Sequence, residues 1–192
     1  MDAFYESLKQ KGFEGDIDNS ENTRHQYSHD ASLFELVPEV VVYPKNAGDL
    51  EKLVKTVNEH RGDIPGLSLT ARSAGTDMSG GAINESVIVD FRRYFTRIES
   101  VSDVAARVQP GVLYKDFEVQ TLQHHALMPT YPASRDLASV GGLVNNNSGG
   151  EKSLEYGKTQ NFVSELKVVF SDGVERVVKP LNKDELDKKM KQ

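Results

Sequence analysis

The chain of 192 residues contains no cysteine and no tryptophan. Without a thiol it forms no disulfide, holds no thiolate-ligated zinc or iron–sulfur cluster, and attacks no substrate through sulfur. Long apolar runs are missing too: none nears the roughly 20 residues of a membrane-spanning helix. The opening MDAFYESLKQ lacks the basic start and apolar stretch of a secretory signal, so the expected location is the cytoplasm. Positive charge is in deficit, with 23 Lys and Arg against 29 Asp and Glu and a net charge of −6. That balance argues against a nucleic-acid partner. What is present is 38% apolar residues, low for a globular chain but enough for a core.

Periodicity supplies a coarse outline. Phe4, Tyr5 and Leu8 mark a short amphipathic helix that Gly12 can end. Residues 13–32 are polar and rich in turn formers and read as loop. EVVVYPK is a short strand closed by Pro44. Asn46 then caps a helix from Ala47 to His60, with Asp49 in its first turn favouring the helix dipole. Leu50, Leu53, Val54 and Val57 give that helix one buried face. GLSLTARS is a second strand, and SVIVDF, apolar on both faces, is an interior third. RIESVSDVAARVQPG reads as a hairpin turning near Ser102 and Asp103, and VLYKDFEVQTLQHHA as a second helix. SELKVVF and VERVVK flank Asp172-Gly173, a strong hairpin signal. NKDELDKKMKQ is a charged helix with little to bury. The expected organisation is an N-terminal helix and loop over 1–35, lobes over about 36–92 and 93–180, and a tail over 181–192, with no internal repeat.

Two segments make unusual backbone demands. In ARSAGTDMSGG (71–81), small side chains let successive N–H groups converge on one anion, and Ser73, Thr76 and Ser79 add hydroxyl donors. Arg72 either supplies charge or anchors the loop. Neither familiar phosphate loop fits: no Lys follows the last glycine, and Gly75 stands alone before a strand. By composition an ordinary solvated turn stays open. The second segment comprises Pro132-Ala133-Ser134 and SVGGLVNNNSGG (139–150), which read as a long loop. Gly141-Gly142 permits close approach to a flat ligand, and the amides of Asn145 to Asn147 suit a heteroaromatic edge. Loops of this length in compact domains tend to be functional.

Other polar residues read more blandly. His124-His125 are adjacent in the expected helix and share no face, so they make no metal pair. His25 and His29 read as surface residues. Asp63, Asp90 and Asp136 are scattered and form no acid–base pair. The basic end KKMKQ is a solvated helix end.

Taken in order, VVVYPKNAGDLEKLVKTVNEH, RSAGTDMSGG, VIVDF, VQPGVLYKDFE, PTYPASRD, SVGGLVNNNSGGEKSLEYGKT and NFVSELKVVFSDG resemble the PCMH-type FAD-binding domain of the vanillyl-alcohol-oxidase superfamily. The similarity runs from about Tyr27 to Lys179 and is nearest to the D-lactate dehydrogenase and glycolate oxidase group. It implies an α+β fold of two lobes, each a small sheet with helices. It also implies FAD as cofactor, with Arg72, Ser73, Ala74, Gly75, Thr76, Asp77, Ser79 and Gly80 around the pyrophosphate. Pro132, Ala133, Ser134, Ser139, Val140, Gly141, Gly142, Asn145 and Gly149 would follow the flavin and ribityl chain. Tyr156, Gly157 and Asn161 to Val163 come next, Val163 meeting the adenine or flavin edge through its backbone.

The common pattern at the first loop is R-G-G-G-T-S. Ser73 and Ala74 replace two of its glycines and fit only at negative φ. Asp77 replaces a serine and fits only if turned outward or capping an N–H. Neither loop holds His and the chain has no Cys, so the FAD is expected to be non-covalent. The implied function is the FAD module of an oxidoreductase acting on a D-2-hydroxy acid such as lactate or glycolate. Its substrate domain would be a C-terminal region or separate subunit, and the module alone would be inactive, with an exposed, partly apolar face where that domain sits. No catalytic residue and no metal are assigned. The alternatives are another flavoenzyme of the superfamily, such as a sugar or lactone oxidase or a UDP-N-acetylenolpyruvoylglucosamine reductase, or a non-catalytic partner-binding subunit.

Overall fold

The computed structural model describes residues 1–191. Its first lobe is a four-stranded sheet in the order β1-β2-β4-β3. Strands β2 (Val40–Tyr43), β3 (Leu69–Arg72) and β4 (Val87–Asp90) are parallel, and β1 (Asp16–Asp18) pairs antiparallel on the β2 edge. Every residue of β2 and β4 is buried, which is why β2 and residues 87–89 of β4 read as continuous apolar runs rather than alternating ones. On one face, Val40, Val42, Val87 and Val89 pack against Leu53 and Val57 of helix α3 (Ala47–His60) and Phe4 and Leu8 of helix α1 (Asp2–Gln10). On the other face, Val41, Tyr43 and Ile88 are covered by Tyr27 and Tyr94.

Residues 13–32 are not all loop. They form β1 and a short helix α2 (Glu21–Gln26). Three residues of strand are too few to show alternation, and α2 is polar all round, burying only Thr23. Its N-terminus is fixed locally instead: Asp18 accepts hydrogen bonds from the Ser20 N–H at 2.9 Å and the Thr23 hydroxyl at 2.7 Å. Asp49 does more than favour a dipole. Its side chain is fully buried and accepts from the Glu14 and Lys45 N–H groups, each at 3.0 Å. Asn46 caps α3 as expected, accepting from the Asp49 N–H at 3.0 Å.

The second lobe holds two hairpins, β5 (Ile98–Val101) with β6 (Ala106–Val108) and β7 (Leu166–Val169) with β8 (Glu175–Val178). Arg107 and Glu165 bridge them at 2.7 Å. Helix α4 (Tyr114–Gln123) buries Tyr114, Phe117 and Thr121, spaced on one face. The core adds Val112, Tyr131, Ala138, Val140 and Leu143. Helix α4 stops before the histidine pair, and His125 takes a left-handed φ of 56° that ends the helix. Residues 139–150 contain helix α5 (Val140–Asn145), and α6 (Ser153–Tyr156) follows. Two glycines, poor helix formers, hide α5 in the sequence, and Ser139 starts it by accepting from the Gly142 N–H at 3.1 Å. Helix α7 (Lys183–Lys189) carries a full capping box from Asn182 and Glu185 and buries nothing.

Because Asp49 satisfies two backbone donors from a buried position, Asp49→Ala should lower the unfolding free energy by on the order of 3 kcal/mol. Urea denaturation measures this, and a loss within about 0.5 kcal/mol, the range of an ordinary surface change, would contradict the anchoring role.

Candidate functional site

Strand β3 delivers the first loop at the carboxyl edge of the sheet, where ligands of open parallel sheets gather. Arg72, its last residue, turns under the loop. Its guanidinium donates to the carbonyls of Tyr27 at 3.1 Å, His29 at 2.7 Å and Ala82 at 3.2 Å, and it lies over the Tyr27 ring. Of the two roles open to Arg72 in sequence, the structure therefore gives it the anchor. Burial lowers its pKa somewhat, opposed by Tyr27, Asp30 and Asp90, and as an arginine it stays charged beneath the loop. Gly75 sits directly on it. A Cβ there would stand 2.5 Å from the guanidinium, and its φ is +68°.

The backbone around Gly75 is open. From residues 74 to 80 no main-chain N–H donates to a protein acceptor among the described residues. Such a run of free donors above a half-buried cation has the makings of an anion nest. Ser73 and Ala74 do not have positive φ, since only His125 and Asn147 do so among the described non-glycine residues. Their side chains therefore cause no backbone strain. The Asp77 carboxylate accepts from the Gly81 N–H and, at 3.0 Å, from the Ser79 hydroxyl, so it is a cap within the loop. A strap from Tyr27 to Phe34 braces this loop: the Ala31 N–H donates to the Asp77 carbonyl at 3.0 Å, and Asp30 accepts from Ser32 and Ala82. Burial alone would raise the Asp30 carboxyl, but these donors outweigh it and hold it below the usual range. Tyr27 is pushed above the usual phenol value by burial and then by Asp90, and donates to Asp90 at 2.9 Å. Beside the loop, a cleft of about 450 Å³ opens between Tyr27, Tyr43, Ala74, Asp90 and Arg93. A cavity of about 510 Å³, between Ile98, Asp116 and His124, lies away from both loops.

The second segment meets the first at one point. The Ser73 and Ser139 hydroxyls hydrogen-bond each other at 2.5 Å, across 66 positions of sequence. Ser139 begins α5, which carries Val140, Gly141, Gly142 and Asn145. Gly141 packs on Pro110, where a Cβ would come within 2.4 Å of the ring. Pro132, Ala133 and Ser134 form the turn that leads in, Ser134 accepting from the Leu137 and Ala138 N–H groups at 2.9 Å. Gly149 lies between α5 and α6, Tyr156 ends α6 half exposed, Gly157 caps it at φ +79°, and Val163 follows the 3₁₀ turn Thr159–Phe162. Of the three asparagine amides, Asn146 bonds Ser148 and Asn147 is engaged twice by Gln160. Asn145 makes no hydrogen bond through its side chain among the described residues.

Sequence reasoning missed the residues that hold this arrangement. Tyr27 and Asp30 sit in the segment read as loop. Thr130 and Thr159 bond each other at 3.2 Å in a buried pocket, where Thr159 also donates to the Ser148 carbonyl at 2.8 Å. Their signal is slight: isolated hydroxyl residues in polar stretches look like surface. No group of His, Cys, Asp or Glu side chains among the described residues is placed to hold a metal. His25 pairs with Glu21 at 3.9 Å and His29 with Glu35 at 3.3 Å, all exposed.

A family model for an FAD-binding domain matches residues 38–179. The chain belongs to the FAD-binding domain family. Its relatives include the D-2-hydroxyglutarate dehydrogenase of Haemophilus influenzae, 34% identical over 88% of this chain and 17% of that protein. The glycolate oxidase subunit GlcD of Bacillus subtilis is 30% identical over 88% of this chain and 36% of its own length. The D-lactate dehydrogenase of Archaeoglobus fulgidus is 33% identical over 70% and 29%. The chain thus spans about a sixth to a third of these relatives. Among solved structures, an alkyldihydroxyacetonephosphate synthase superposes with a TM-score of 0.78 at 18% identity, covering 94% of this chain and 38% of that one. A chitooligosaccharide oxidase does so with a TM-score of 0.76 at 17%, covering 96% and 38%. These likenesses establish the two-lobed α+β fold of this FAD domain.

Gly75→Ala forces a side chain into the left-handed region against the guanidinium, and should cost about 1–3 kcal/mol in urea unfolding; a neutral result would contradict the described packing. Asp30, with a depressed pKa, contributes stability that is present above about pH 4 and is lost as pH falls through the folded value. Between about pH 5 and pH 3 the melting temperature of wild type should therefore fall further than that of Asp30→Asn. Parallel curves would show that the strap carboxylate is not linked to folding.

Proposed function

We propose that the chain is the FAD-binding module of a flavin-dependent oxidoreductase acting on a D-2-hydroxy acid. The observation that carries the reading is the open nest at residues 74–80, joined through Ser73 to Ser139, in a chain of the FAD-binding family. In this reading the free N–H groups of the first loop and the hydroxyl of Thr76 hold the pyrophosphate, while the Ser73 and Ser79 hydroxyls are engaged by Ser139 and Asp77. The turn at Pro132 to Ser134, residues 139–142, Asn145 and Gly149 line the ribityl chain and flavin, and Tyr156, Gly157 and Val163 lie toward the far edge. The fit is good at the positions that depart from the common pattern. Ser73 and Ala74 occupy permitted backbone angles, and the Asp77 charge is drawn onto Gly81 and Ser79.

When bound, FAD supplies the two-electron acceptor that oxidises the hydroxy acid. The residues of this chain bind and orient it, and none is assigned to proton transfer. With no histidine in either loop and no cysteine, binding is non-covalent. The D-2-hydroxy acid class rests on the names of the dehydrogenase and oxidase relatives. A substrate-binding region then covers part of this module. Leu33, Phe34 and Met78 flank the first loop with 103%, 60% and 80% of their surface exposed, and supply an apolar face for it. No helix among the described residues is long and apolar enough to cross a membrane. In this reading the module acts in the cytoplasm.

Purified chain mixed with FAD and then desalted should retain flavin absorption between about 350 and 500 nm, and heat with detergent should release all of it, as non-covalent binding requires. Folded protein that leaves the column colourless would overturn the assignment of this site.

A further inference from the structure

Ser139 Oγ accepts from the Gly142 N–H at 3.1 Å and shares a hydroxyl–hydroxyl hydrogen bond with Ser73 Oγ at 2.5 Å. Ser139 is only 1% exposed. Its backbone is held on both sides. Tyr114 N–H donates to the Ala138 carbonyl at 2.9 Å and Val140 N–H to the Val112 carbonyl at 2.8 Å, on either side of it. On the opposing wall, Ser73 leads directly into the run of free N–H groups. No other side-chain hydrogen bond among the described residues joins residues 72–81 to residues 132–150.

We propose that Ser73 and Ser139 form a hydroxyl latch that fixes the spacing of the two cofactor loops, each serine acting as a positioning residue for the loop of the other. The latch serves a ligand that spans both loops. FAD is such a ligand, whereas ADP carries only the pyrophosphate half that the first loop holds. This inference rests on the cofactor reading above and adds to it a specific coupling between two side chains.

The test is equilibrium binding to the full chain and its Ser73→Ala, Ser139→Ala and double variants, with flavin fluorescence for FAD and calorimetry for ADP. Circular dichroism confirms that each is folded. Ser73→Ala should weaken FAD about tenfold, the worth of one well-placed hydrogen bond, and leave ADP nearly unchanged. The double variant should bind FAD no worse than Ser139→Ala, because the Ser73 hydroxyl acts only through its partner. Additive losses in the FAD cycle, unchanged FAD affinity in Ser73→Ala, or equal losses for both ligands would each overturn the latch. Wild type that takes up ADP but no FAD, or neither, would instead remove the cofactor reading itself and the latch with it.

Discussion

Ser73 and Ser139 belong to different lobes, and the hydrogen bond between them is where the two halves of the site touch. Each serine is held by a distinct mechanism. Ser73 follows Arg72, whose guanidinium is pinned to three carbonyls from the strap and the loop end. Ser139 is fixed by backbone bonds to Val112 and by its role as the first turn of α5. A single hydroxyl contact between two such rigid walls can define a spacing, which a contact between mobile loops could not. That rigidity also explains why the loop tolerates a half-buried cation. Arg72 satisfies its donors on carbonyls and leaves the N–H groups above it free for an anion.

The departures from the common loop pattern become intelligible in the same terms. Glycine is demanded only where φ is positive or where something lies underneath, and at Gly75 both hold. Ser73 and Ala74 meet neither condition, so their side chains are permitted and Ser73 gains a partner. Asp77 would oppose a pyrophosphate if its charge were free. It instead accepts two donors of its own loop, which keeps the loop ordered and directs the charge along the chain.

Much of the scaffold was legible in the sequence. The buried strands β2 and β4, the cap and apolar face of α3, and the hairpin at Asp172-Gly173 follow from local pattern. What escaped notice depends on long-range contact. β1 and α2 have no periodicity of their own and exist because Asp18 and the edge of β2 supply their partners. α5 contains two glycines and is stabilised by a cap and a packed Leu143 rather than by propensity. Within the site, the small-residue loops were visible as composition, but their meeting was not, since serine at 73 and serine at 139 carry no mark of each other. Asn147 shows the reverse limit. Its amide looked available for a ligand, yet its left-handed backbone and its two hydrogen bonds with Gln160 make it a brace.

The central claim is that one cofactor engages both loops at once, in a cleft that the fold already holds together. Backbone amide hydrogen exchange with and without FAD addresses it directly, because free N–H groups exchange quickly until a ligand accepts them. The account predicts that FAD slows exchange in residues 74–80 and in residues 139–149 together, with little change at the cavity beside Asp116 and His124. Protection confined to one loop, or centred on that other cavity, would contradict it.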